Sequence, residues 1–273
     1  PELSNDETFV RMFVDEAKLV ADLVHENIVQ TYQLERDGEG YFMVMEYVHG
    51  VSLRDLLRSH ADGERLPVAL AVFIASRIAR GLAYAHSRVD GEGRAKHIVH
   101  RDVSPSNVLI TGEGLPKLSD FGIARAQARG GPAEGAIVGK FAYMSPEQAL
   151  HFDLDGRADL YSLGTVLFEM LTGSRARSAR DPVELLRMAR RGEIAWERWN
   201  ACGHPAALAA IVRRRPEPKD DDRYASAADL ARDLELFIYK DGYGPTTATL
   251  EAYLVDRFPA LARPQADARP GGR

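Results

Sequence analysis

Over residues 6–24 the apolar side chains Phe9, Val10, Phe13, Val14, Ala17, Val20, Ala21, Leu23 and Val24 share one broad arc at 100° per residue, which predicts an amphipathic helix. Arg11, Asp15, Lys18 and Asp22 take the opposite face, whereas Glu16 falls inside the apolar arc. An inward carboxylate without a partner costs several kcal/mol, so Glu16 calls for a cation or for a rim position where it snorkels to water. The pattern then changes. Ile28 to Leu34 and Tyr41 to Val48, joined by Arg36-Asp37-Gly38-Glu39-Gly40, predict a hairpin. Ser52 with Asp55 three residues on suits a capping box at the start of a short helix.

Helical spacing returns with Leu70, Phe73, Ile74, Ile78, Leu82 and Ala85, giving a second long helix from Leu66 to about Arg88. The polar, glycine-rich run 88–96 is expected to be a surface loop. A Thr111-Gly112-Glu113-Gly114 turn leads into a short strand over Leu115–Leu118. Leu160–Leu171 is apolar nearly all round, as a buried central helix must be. Further helices are expected over Pro182–Arg191, His204–Arg215, about Ser226–Tyr239 and Tyr243–Pro259, the last with Leu250, Tyr253, Leu254 and Phe258 at helical spacing. Residues 262–273, rich in Pro, Gly and Arg, are expected to be disordered. No internal repeat is visible.

Composition narrows the classes. At 273 residues, 45% hydrophobic and 27% charged, the chain has room for a sizeable core in one large domain or two small ones. A net charge of −5 argues against a general nucleic-acid binder; Arg213-Arg214-Arg215 reads as a solvated helix end or a local basic patch. The single cysteine, Cys202, excludes an internal disulfide, fits a reducing compartment and has no metal-ligand spacing with the eight histidines. No apolar run reaching the ~18–20 residues of a membrane span and no signal peptide are read, so the expected location is cytoplasmic. Pro1 is not an initiator methionine and reads as a processing or cropping boundary.

The chemistry concentrates in residues 97–110, His-Ile-Val-His-Arg-Asp-Val-Ser-Pro-Ser-Asn-Val-Leu-Ile, followed by Asp120-Phe121-Gly122 and then Tyr143-Met144-Ser145-Pro146-Glu147. Phosphoryl transfer asks a protein for positioning and charge: a carboxylate near the attacking hydroxyl and ligands for Mg²⁺. In order and interval, these motifs resemble the catalytic loop, metal-binding motif and activation-segment end of the eukaryotic-like (Hanks-type) bacterial serine/threonine protein kinases, over roughly residues 6–240.

The resemblance implies an α+β, bilobal protein-kinase-like fold: residues 1–50 a truncated small lobe (helix C, hairpin, hinge), 51–240 a mainly α-helical large lobe, 241–260 an appended helix and 261–273 a tail. It implies ATP and Mg²⁺ (Mn²⁺ as an alternative) as cofactors and a protein with a Ser or Thr acceptor as partner. Asp102 would be the base, and Asn107 and Asp120 the metal ligands. Met45 would be the gatekeeper or, like Met43, plain core; Glu46, Tyr47 and Val48 would be the hinge, Leu109 the floor beneath the adenine, and Ser52 a ribose contact beside its capping role. Glu16 would be the helix-C glutamate, Asp159 the holder of the catalytic loop's backbone, and Arg223 the structural partner of Glu147.

The departures from the family pattern are specific. Ser104 stands where a lysine is usual two residues after the catalytic aspartate, and Lys140 stands where a threonine is usual. Losing one preorganised donor costs ~2.7–4 kcal/mol, or ~10²–10³ in rate. Lys140 either replaces that ammonium or points at solvent or a substrate acid. No lysine precedes Lys18 and no glycine precedes Gly38, so the glycine-rich loop, the phosphate lysine and the first three strands are not found upstream of the helix. No Ser, Thr or Tyr lies between Phe121 and Gly139, so Arg101 has no phosphate to bind there; Glu134 offers a permanent charge or is simply solvated. Two readings follow, an active kinase whose first strands lie upstream and a truncated pseudokinase acting as a binding module. A small-molecule phosphotransferase is disfavoured by the Ala142–Glu147 platform, and Pro105 favours Ser/Thr acceptors.

Overall fold

The computed structural model describes residues 20–38, 40–61, 63–121, 140–214 and 224–262. Glu16 with most of its helix, Gly122, Glu134, Arg223 and the 263–273 tail lie outside the described residues. Of the first helix's apolar arc, Val20 and Leu23 are buried as expected, but Val24 is 68% exposed.

β1 (Thr31–Asp37) and β2 (Gly40–Met45) form an antiparallel hairpin pairing Leu34 with Met43 and Arg36 with Tyr41. Ile28 and Val29, expected to begin that hairpin, pair elsewhere. Ile28 bridges Leu118 in parallel, Val29 N–H donates to Leu118 O (2.9 Å) and Leu118 N–H donates to Asn27 O (2.9 Å). Both side chains are buried, and Ile28 joins the main core. This splice ties the hairpin to the strand that leads to Asp120.

A three-stranded antiparallel sheet, ordered β3-β4-β5, consists of β3 (Gly50–Ser52), β4 (Val108–Thr111) and β5 (Pro116–Leu118). β3 was not expected, because three residues carry no readable alternation. Gly50 is required where β3 crosses β4, since a Cβ there would lie 1.9 Å from Ile110 O.

Helix α1 (Leu53–Arg58) starts at Ser52, whose Oγ accepts from Asp55 N (3.1 Å) and donates to the Asp55 carboxylate (2.6 Å). The expected cap is present, with the serine hydroxyl rather than its backbone N–H answering Asp55. The core is built on α2 (Val68–His86), α4 (Arg157–Thr172) and α8 (Ala227–Tyr239). Arg77 and Arg80 of α2 both bind Glu235 of α8. By length and composition α2 is apolar enough to cross a bilayer, which corrects the expectation that no such run exists. Its apolar character is explained by packing, because Leu70–Ile74, Ile78 and Leu82 fill the core.

Short helices complete the large lobe: α3 (Pro146–Ala149), α5 (Pro182–Arg190), α6 (Trp196–Ala201) and α7 (Ala206–Arg213). α6 is too short for periodicity to reveal; buried Trp199 fixes it against Phe168 (6.0 Å) and His204 (4.6 Å). Arg213 and Arg214, read as a solvated end or basic patch, lie over the rings of Trp196 and Tyr224. Helix α9 (Thr247–Arg257) opens with a Thr246/Thr249 capping box and buries Leu250 and Leu254 fully. It docks on the same domain. Tyr253 OH shares a 2.7 Å hydrogen bond with His60 Nε2, Arg257 pairs with Glu64, and Thr247 O packs against Gly114.

Candidate active site

The loop between α2 and β4 is shaped by one buried carboxylate from the first turn of α4. Asp159, 1% exposed, accepts His100 N–H on Oδ2 (2.8 Å) and Arg101 N–H on Oδ1 (2.7 Å), as expected. Oδ2 also meets His86 Nε2 at 2.8 Å. His100 Nδ1 accepts from Asp102 N (3.2 Å), which assigns the proton to Nε2, and Nε2 donates to Ser119 O (2.8 Å). The His100 ring stands edge-on to Phe121, with centroids 4.5 Å apart. Arg101 is held at φ +67°, and Gln148 Nε2 donates to its carbonyl (2.7 Å). A non-glycine residue there is strained, and this much hydrogen bonding is what keeps it in place.

That scaffold presents Asp102. Its Oδ2 receives two donors, Lys140 Nζ at 2.6 Å and Asn107 Nδ2 at 3.0 Å, and Asn107 Nδ2 also donates to Asp102 O (2.8 Å). Asn107 is fixed in turn, its carbonyl accepting from Ser119 N (2.8 Å) and Ser119 Oγ (3.1 Å). Ser104 is buried in the same turn and offers its carbonyl to Asn107 N (3.0 Å). Asp120 is exposed at φ +61°, with no side-chain hydrogen bond among the described residues. Asp102, Ser104, Asn107 and Lys140 thus line one open cavity of about 670 Å³, whereas Asp120 sits at the end of β5 and is not among its walls.

The expected nucleotide residues are not among the walls of that cavity. Met45 ends β2, and Leu109 sits between Ser52 and Lys117 across the β3-β4-β5 sheet. Glu46 N–H donates to Gln30 O (2.8 Å), so of the hinge amides only those of Tyr47 and Val48 are uncommitted among the described residues. The Glu46 side chain accepts from Gln30 N (3.1 Å) and pairs with Lys117 (2.9 Å). Partial burial alone would raise its pKa, but the Lys117 ammonium and the Gln30 amide outweigh that and hold it below the usual carboxylate value. The Lys117–Glu46 pair was missed in the sequence. The signal was available, since Lys117 interrupts an apolar strand in the way Glu16 interrupts an apolar arc.

A second missed feature closes the far wall. Tyr143 OH donates to Glu169 Oε2 at 2.6 Å, with Arg175 Nε 3.8 Å from Oε1. Burial raises the Glu169 pKa, offset in part by the Tyr143 hydrogen bond and Arg175; burial and then the Glu169 charge raise that of Tyr143.

Residues 2–230 match the family model described as the protein kinase domain. A protein named tyrosine-protein kinase MasK, from Myxococcus xanthus, is 38% identical over 262 residues, 94% of this chain and 40% of that protein. Serine/threonine-protein kinase PknB of Mycolicibacterium smegmatis is 34% identical over 274 residues, 97% of this chain and 41% of that protein. The chain therefore spans about two fifths of the length of these curated relatives. Among solved structures, the Mycobacterium tuberculosis PknI kinase domain superposes with a TM-score of 0.61 at 26% identity, covering 86% of this chain and 82% of that one.

Proposed function

The chain belongs to the protein kinase domain family, and from that premise we propose that it transfers the γ-phosphate of ATP to a serine or threonine hydroxyl of a protein. The observation that carries the proposal is the convergence of Lys140 and Asn107 on one oxygen of Asp102. With Oδ2 occupied by two donors, Oδ1 is the oxygen left to accept the acceptor hydroxyl's proton. Ser104 cannot supply the ammonium that usually follows this aspartate, and Lys140 brings one to Asp102 Oδ2 at 2.6 Å. A cation held there would stabilise the charge that develops on a transferring phosphoryl group.

The donor chemistry suits the family's cofactors. Asn107 spends its amide N–H groups on Asp102, which leaves its Oδ1, and Asp120 leaves a free carboxylate; both are hard oxygen ligands that would hold Mg²⁺. The metal nucleotide, when bound, supplies the phosphoryl group and screens its charge. Met45 and Leu109 would flank the adenine, with the free amides of the 47–48 segment bonding its edge. Ser52 is a weaker ribose contact, because its hydroxyl is already engaged in both directions by Asp55.

A tyrosine acceptor is the second reading, favoured by the 38% identical relative named as a tyrosine kinase. The test is phosphoamino-acid analysis of a protein substrate labelled from Mg-ATP by the full natural protein, with Asp102→Asn as control. Phosphoserine or phosphothreonine that vanishes in Asp102→Asn is the expected result. Dominant phosphotyrosine would replace the acceptor assignment, and label that is absent or survives Asp102→Asn would overturn the transfer itself.

A further inference from the structure

The cavity that holds Asp102 and Lys140 extends along α1, and its charges are unevenly satisfied. Each carboxylate in its walls has a partner: Asp102 has Lys140 and Asn107, Glu169 has Tyr143 and Arg175, and Glu64 has Arg257 from α9. Arg54 and Arg58 also line it, both exposed, and neither guanidinium has a hydrogen bond or ion pair among the described residues. They lie four residues apart, so both belong to one face of α1. Their placement beside the reacting groups is fixed by the backbone, since Arg54 N–H donates to Pro105 O (2.9 Å) in the turn between Asp102 and Asn107.

Resting on the kinase reading above, the geometry points to a subsite for acidic residues of the protein substrate, with Arg54 and Arg58 as specificity-determining residues. Guanidinium groups bind carboxylates with two parallel hydrogen bonds, and here the aperture carries two of them with no acid among the described residues paired to either. One turn of helix advances about 6 Å over four residues, close to the span of two residues of extended peptide. The best substrate therefore carries Asp or Glu at alternate positions near its acceptor hydroxyl. A basic substrate would meet the same arginines as like charges.

The test uses fluorescein-labelled serine peptides with Asp, Asn or Arg at alternate positions on either side of the acceptor. Binding to the full natural protein is read by fluorescence anisotropy, and phosphorylation with Mg-ATP is read in parallel. The Asp peptide is expected to bind about tenfold more tightly than the Asn peptide, with a preference that weakens as salt is added. In Arg54→Glu/Arg58→Glu the order should invert in favour of the Arg peptide. Both sites are exposed, and unchanged circular dichroism and melting would confirm that the variant folds. Equal binding of all three peptides, or a preference that survives the charge reversal, overturns the subsite. Charge-selective binding without phosphorylation would leave the subsite standing and fail the kinase reading; phosphorylation indifferent to charge does the reverse.

Discussion

His86 Nε2 and the peptide N–H of His100 meet on the same oxygen, Oδ2 of Asp159, each at 2.8 Å. The carboxylate thereby joins the end of α2 to the 100–107 loop and holds the left-handed Arg101 through its peptide N–H. Asp159→Ala would leave two buried peptide N–H groups and an imidazole without their acceptor. It is expected to cost roughly 3–5 kcal/mol in urea unfolding, whereas His86→Ala, which removes one bond of the set, should cost about 1–2 kcal/mol. Equal losses in the two variants would mean that His86, not the loop backbone, dominates the cluster.

Lys140 and Ser104 invite a double-mutant cycle. Lys140→Ala is expected to lower kcat by ~10²–10³. Ser104→Lys in a Lys140→Thr background should recover most of that loss, because the ammonium returns from the neighbouring loop position. Ser104→Lys with Lys140 retained should gain nothing, since two like charges would crowd one carboxylate. A Lys140→Ala effect confined to a modest rise in peptide KM would remove Lys140 from the phosphoryl site.

Glu169 is an acid whose folded-state pKa is raised above its ordinary 4.5, first by burial. Its protonated form is the one the fold favours. The contribution of Glu169 to stability is therefore full below about pH 4.5 and is lost as pH rises through the folded-state value. Glu169→Gln keeps an acceptor for Tyr143 and removes the buried charge. Its melting temperature should exceed that of the wild type at pH 7, with the gap closing toward pH 4; a gap that widens on acidification would reverse the sign assigned to this group.

Gly114 has φ +78°, and a Cβ on it would lie 2.1 Å from Thr247 O of α9. Gly114→Ala is expected to destabilise by roughly 2–4 kcal/mol and to expose the 243–262 region to proteolysis. Gly112→Ala, two residues away, would meet nothing closer than 3.6 Å and should be silent in both assays.

The long helices and the three motif stretches were legible in the sequence because their signals are local: a 3.6-residue period in α2 and α4, and fixed spacing from His100 to Asn107. What it hid depended on partners far along the chain. The apolar neighbours of Ile28 point to the hairpin and give no hint that Leu118, ninety residues on, claims it. β3 and α6 are too short for a period. The Tyr143–Glu169 pair joins residues whose separate positions carry no mutual signal, and Lys117, which interrupts an apolar strand, signals a partner without naming Glu46. The Lys140–Asp102 contact was legible only as a question, since an extra lysine in one motif and a missing one in another become a single site once the chain folds.

Helix α9 also has a mechanical meaning. It is pinned at its start against Gly114 and along its far end by Tyr253 to His60 and Arg257 to Glu64. Tension applied at that end would load the Arg257–Glu64 clasp together with the core packing of Phe258 and Leu261, and through His60 and Glu64 would tug on the loop that trails α1. The rim of the substrate groove is therefore wired to that end of the domain as a lever is to its handle.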